Sequence, residues 1–156
     1  MLTISNNITL GILIFLSILL TILLNLIFNK KEKRQLDKIF IINIGLILFW
    51  ILCLTFQLVF MELFNANPLY FEYFSYISVC FLPVSFLFMA QIYAKTKINF
   101  KKWHYLLFII PILSILAVWT NDIHHLFYKT YSINFNESIY GFWFYVHYYY
   151  TLLLFG

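Results

Sequence analysis

Charge is what this sequence has least of. Only 10% of its 156 residues are Asp, Glu, Lys or Arg, against about a quarter in an ordinary soluble domain. A folded surface built from so few charges has too little polarity to stay dissolved in water. Glycine and proline are scarce as well, 4 and 3 residues, which excludes collagen-like and low-complexity chains. The 2 cysteines both lie in apolar stretches, so neither a disulfide scaffold nor a cysteine-rich zinc site can be built. No phosphate-cradling glycine loop, HExxH, GxSxG or CxxC occurs, so the usual sites for ATP, nucleophilic or metal chemistry are missing. The reading is no catalytic residues, no cofactor and no metal.

What is present is hydrocarbon. Hydrophobic residues make up 63% of the chain and aromatics 22%, with a mean hydropathy of +0.89. A crossing of about 30 Å of bilayer needs about 20 apolar residues. Five runs approach this, at 8–28, 39–60, 70–93, 103–119 and 140–156. They are continuously apolar rather than alternating, which selects helices over a transmembrane barrel. The expected fold is all-α, a polytopic transmembrane bundle forming one membrane-embedded region. The first run is not read as a secretory signal, because no basic residue precedes it and its apolar stretch is too long.

The basic residues orient the bundle. Lys30, Lys31, Lys33, Arg34 and Lys38 fill the first connection, and Lys95, Lys97, Lys101 and Lys102 the third. Nine of the ten basic residues thus fall on one side, with Lys129 alone on the other. Short Lys- and Arg-rich loops stay cytoplasmic, so the amino terminus is expected outside. This placement also explains the net charge of +4 without nucleic acid, since juxtamembrane cations attract an anionic leaflet. Trp103 and Trp119 bracket the fourth run, where indoles favour the interfaces.

The connection at 61–69 is a short outer turn containing Asn65, Asn67 and Pro68. The segment 120–139 is the one outer loop with room for structure, and its stretch 128–135 has the composition of a small hairpin. Polar residues inside the runs, among them Asn25, Asn43, Thr55, Gln57, Ser78 and Ser114, are expected to hydrogen-bond between helices. Asn25 and Asn43 are expected to meet. Pro83 and Pro111 are expected to kink the third and fourth helices. Cys53 and Cys80 read as packed, inert thiols. The last run spans 17 residues, about 25 Å at helical rise, and ends without a basic anchor, so the chain reads as a piece of something longer.

Several stretches are similar to a known family. WHYLLFIIPILSILAVWTNDIHHLFY at 103–128 carries Pro111, then Thr120 and Asn121, then His124 and His125 ahead of Phe127 and Tyr128. LPVSFLFMAQIY at 82–93 follows the Glu62 that ends the second run, and Gly141, Phe142, Trp143, Phe144, His147 and Tyr150 open the fifth. These resemble the N-terminal seven-transmembrane sensor region of bacterial histidine kinases, also found ahead of diguanylate cyclases. The resemblance implies a dimer-prone sensory region in the bacterial cytoplasmic membrane that receives an extracytoplasmic signal. It also implies a cut within or after the fifth helix, without helices six and seven or a kinase or cyclase module. A small transporter or permease subunit and a stand-alone membrane scaffold are the competing readings; transporters usually carry midplane charges and repeats, which are lacking here.

The candidate ligand site is an outer mouth of Glu62, Asn121, His124, His125, Trp143, His147 and Tyr150. Tyr140, Trp143, His147 and Tyr150 recur at steps of three and four, so they share one helix face. His147 lies about 10 Å below Tyr140 at helical rise. Aromatic walls with a few polar groups suit a ligand pocket. The plainer alternative is that His147 bonds a neighbouring helix while His124 and His125 sit at the headgroup level.

Overall fold

The structure is a computed structural model, and it describes residues 4–64, 68–132 and 137–155. It contains α1 (Ile4–Phe28), α2 (Gln35–Phe64), α3 (Leu69–Lys95), a 3-10 segment (Lys102–Phe108) running into α4 (Ile109–Trp119), and a short α5 (Asn121–His124). Strands β1 (Tyr128–Thr130) and β2 (Ile139–Tyr140) follow, then α6 (Phe142–Phe155). Apart from the two-stranded ribbon the fold is all-α. Among the described residues, four helical segments are long and apolar enough to cross a membrane: Asn6–Phe28, Gln35–Phe64, Leu69–Lys95 and Lys102–Trp119. The fifth expected run behaves differently. Tyr140 belongs to β2, and α6 has 14 residues, about 21 Å at 1.5 Å per residue and short of a full crossing. The chain divides into two compact units, 1–98 and 99–156.

In the first unit α2 packs on α1 and α3. The α2–α3 seam buries Ile44, Ile51, Cys80, Val84, Phe88 and Ile92. Cys53 and Cys80 are both buried and free. Ser78 Oγ donates to the Leu46 carbonyl across the seam at 2.7 Å, and Gln57 donates to the Glu72 carboxylate at 3.4 Å. Asn43 is buried on α2 and donates to its own Ile39 carbonyl and to Met89 Sδ on α3. It does not meet Asn25, which is exposed and accepts from Asn29 at 3.2 Å. The expected Asn25–Asn43 pair is therefore replaced by one local bond and one interhelical bond. Thr55 and Ser75 likewise bond the preceding turn of their own helices, as hydroxyls in helices commonly do.

The basic ends of these helices are tied by specific contacts. Asp37 accepts the Arg34 backbone N–H at 2.9 Å, which is half of a capping box because Asp37 is the third residue of α2. Lys30 Nζ lies 3.0 Å and Arg34 Nε 3.6 Å from the same carboxylate. Gln35 bonds Ile98 twice, donating to its carbonyl and accepting its N–H at 2.9 and 2.8 Å. Thr96 ends α3 in the left-handed region with φ 62°. Positions 65–67 of the expected outer turn lie outside the described residues.

In the second unit Pro111 falls in the first turn of α4, after the 3-10 segment. Pro111 therefore sits where the 3-10 segment passes into the α-helix rather than in the middle of one helix, a first-turn place that suits its fixed φ. Pro83, by contrast, lies inside α3 and is buried. The hairpin forms, but the partner of β1 is 139–140 rather than a strand within 128–135. Tyr128 pairs with Tyr140 and Thr130 with Ile139 across a bulge, and 133–136 lie outside the described residues.

Candidate functional site

The segment after α4 is organised around one buried side chain. Asn121 opens α5 and is 5% exposed. Its Oδ1 accepts the backbone N–H groups of Phe127 and Tyr128, both at 2.9 Å, and its Nδ2 donates to the Tyr128 carbonyl at 3.0 Å. One amide thus satisfies three backbone groups of a non-helical stretch that would otherwise be buried without partners. His125 ends α5 in the left-handed conformation, φ 50°, and its N–H reaches the Asn121 carbonyl at 2.8 Å.

His124 completes the turn. Its Nδ1 accepts the Leu126 N–H at 3.0 Å, and its Nε2 lies 2.9 Å from Thr120 Oγ1. Accepting at Nδ1 places the ring proton on Nε2, facing Thr120. Thr120 Oγ1 in turn donates to the Leu116 carbonyl at 2.6 Å, so the ring is linked back to the end of α4.

The folded loop then clasps the start of α6. The Gly141 N–H donates to the Phe127 carbonyl at 2.7 Å, and the Trp143 N–H to the Leu126 carbonyl at 2.9 Å. A loop carbonyl therefore caps one of the N–H groups left over in the first turn of a helix. The approach is close enough that a Cβ on Gly141 would lie 2.1 Å from the Leu126 oxygen. Glycine is required here by space. Phe127 is fully buried and meets Phe144 edge-on at 5.7 Å, while Tyr140 stacks on Phe144 at 3.9 Å.

Below this clasp the expected face of the last helix turns onto α4 and its 3-10 lead. Trp143 Nε1 donates to Ser114 Oγ at 3.1 Å. Tyr150 Oη donates to the Leu107 carbonyl, the group that would have accepted the N–H proline lacks at position 111. His147 lies between them on the helix and is 6% exposed; its Nδ1 has no hydrogen-bond partner.

The seven sequence candidates therefore separate. Asn121, His124, Trp143 and Tyr150 have their polar atoms engaged in holding the second unit together. His125 is exposed and His147 buried with a ring nitrogen unpaired. Glu62 lies in the first unit, near the end of α2, where Asn6 of α1 donates to it. Among the described residues no three His, Cys, Asp or Glu side chains are grouped so as to hold a metal ion. Two residues outside the candidate set matter as well. His104 is buried, stacks on Trp103 at 3.8 Å and accepts the Lys101 N–H at 2.8 Å; the three-residue Lys101–His104 spacing was its only signal. Ser114 was visible merely as a polar residue in an apolar run.

Four long apolar helical segments among the described residues, joined by basic connections, define a multi-pass membrane region. The chain belongs to the family described as the N-terminal 7TM region of histidine kinase, whose model matches residues 12–156. No curated protein and no solved structure matches it.

Proposed function

We propose that these residues form the signal-receiving membrane part of a histidine-kinase-type receptor of the bacterial cytoplasmic membrane, with the amino terminus and the loop 120–139 outside. In this reading the chain crosses four times and α6 enters the bilayer as the start of a fifth crossing, and phosphotransfer chemistry lies outside these residues. The observation that carries it is the clasp: Asn121 folds the loop and Gly141 presses it against the head of α6. An event at the loop then moves α6 as one body with it. His125, exposed, and His147, with a ring nitrogen to offer, are the groups assigned to the signal. Asn121, His124, Trp143 and Tyr150 position them, and Glu62 is assigned to the same outer side.

The test joins the chain to a histidine-kinase output module and follows autophosphorylation from labelled ATP in membranes. Asn121→Ala and Gly141→Ala should each shift basal output at least threefold at equal membrane level. The 156 residues alone should stay unlabelled. Parental output from both variants, or labelling of the isolated chain, overturns the reading.

A further inference from the structure

Where α6 packs on α4, a titratable ring is enclosed with a nitrogen unpaired. Trp143 bonds Ser114 and Tyr150 bonds Leu107, so the two elements run antiparallel and His147 lies about level with Ile110 and Pro111. Pro111 and Ser114 are fully buried, and His147 is 6% exposed with no partner for Nδ1. The polar groups of the turns above and below are already taken, Ser114 Oγ by the Trp143 indole and the Leu107 carbonyl by the Tyr150 hydroxyl. A neutral imidazole fits such a place. An imidazolium has two N–H donors and a full charge, and a buried charge needs an acceptor and a counter-ion.

The surrounding elements bring no counter-ion to that depth. α4 carries no titratable side chain. The 3-10 segment brings Lys102, His104 and Tyr105, and α6 brings Tyr145, Tyr148, Tyr149 and Tyr150. The loop brings Asp122, His124, His125 and Lys129, and the ribbon Tyr128 and Tyr140. The two acidic side chains of this unit, Asp122 and Glu137, both belong to the loop 120–139. That loop meets the head of α6 at Gly141 and Trp143, and His147 lies about 8 Å of helix below Phe142.

We infer that the signal taken up at this site is the proton, which binds His147 as α6 parts from α4 below the clasp and holds the two apart. The inference deepens the receptor reading and rests on it for the meaning of the movement. The docked form keeps the ring neutral, whereas the parted form opens it to water, where an imidazole titrates at about pH 6.5. Acid therefore favours the parted form, by up to about tenfold for each pH unit below about 6.5, and alkali favours the docked one.

The test measures the distance between spin labels on Ile112→Cys and Leu152→Cys, both exposed positions, in the full chain carrying Cys53→Ala and Cys80→Ala. The protein is held in lipid nanodiscs at about pH 8 and about pH 5. The parent should show one short distance at the higher pH and gain a longer one at the lower. The ratio of long to short should rise at least about tenfold. His147→Gln and His147→Phe cannot take the proton and should keep the short distance at both pH values. A parent whose distances ignore pH overturns the proposal, as does a response that survives both variants, which would belong to His104, His124 or His125. Loss of the short distance in both variants at the higher pH makes His147 a packing residue and overturns it too. The labels report without any output module, so these failures strike the proton alone, while the receptor reading stands or falls with Asn121→Ala and Gly141→Ala.

Discussion

At the scale of single residues, the clasp turns on a few atoms whose loss has a calculable effect. Asn121→Ala removes three buried hydrogen bonds and strands two N–H groups and a carbonyl. Unsatisfied buried groups cost about 1 to 3 kcal/mol each, partly recovered by relaxation. A loss of about 3 kcal/mol is expected, read as a lower midpoint of thermal unfolding in detergent. Gly141→Ala acts through volume, since its new methyl meets the Leu126 carbonyl backbone rather than a side chain that could swing away. Backbone shifts of that kind cost about 1 to 3 kcal/mol. Trp143→Phe keeps the ring packing and deletes the bond to Ser114, so about 1 kcal/mol is expected. A flat response to all three in the same assay would mean that the clasp does not limit the stability of the second unit.

At the scale of elements, Pro111 and Tyr150 are coupled although they lie on different helices. Proline at 111 leaves the Leu107 carbonyl without its helical donor, and the Tyr150 hydroxyl supplies one. Tyr150→Phe should therefore cost about 1 kcal/mol in the parent and clearly less in a Pro111→Ala background, where the restored N–H competes for the same carbonyl. Equal costs in both backgrounds would refute the coupling. A second element-level strain sits at Thr96, a β-branched residue in the left-handed region at the end of α3. Glycine adopts that conformation freely, so Thr96→Gly should raise the unfolding midpoint by an amount corresponding to about 1 kcal/mol. These features also mark how far the sequence could be read. The first three helices run at 4–28, 35–64 and 69–95, a few residues beyond apolar runs bounded by Lys, Asn and Pro. Hydropathy alone carries that information. The 3-10 lead into α4 is invisible to it, because a 3-10 turn and an α-turn are equally apolar, and so Pro111 looked mid-helical. The loop 120–139 was legible as a place and Asn121 as a residue of interest. That the amide folds back on its own loop was not, since hydrogen-bond direction leaves no trace in periodicity. Gly141 ahead of an aromatic run was the available hint of a close backbone approach.

At the scale of the whole molecule, the asymmetry of charge determines how the chain should sit. The basic connections at 30–38 and 95–102 are separated by two long helices, α2 and α3, and Lys129 lies beyond α4 on β1. On the proposed reading, alternating crossings would put both basic connections on one side and β1 on the other, in the sense that keeps Lys and Arg cytoplasmic. Moving either basic connection across would carry at least four cations through the hydrocarbon, each opposed by about 3 kcal/mol on the insertion scale at the membrane centre. Glu62, Glu72, Asp122 and Glu137, assigned to the opposite side, do not offset this, because Asp and Glu contribute little to the rule. The expectation is tested with single cysteines in a background lacking Cys53 and Cys80, probed on intact cells with an impermeant thiol reagent. Cysteines at Asn6 and Lys129 should label, and those at Lys33 and Lys97 should label only after the membrane is opened. Labelling at Lys33 on intact cells reverses the orientation, and equal labelling at Lys97 and Lys129 removes the fourth crossing. The position of Thr151 decides the fifth. A cysteine there should stay silent in intact cells if α6 continues into the bilayer, and it should react as readily as one at Lys129 if α6 lies along the outer surface.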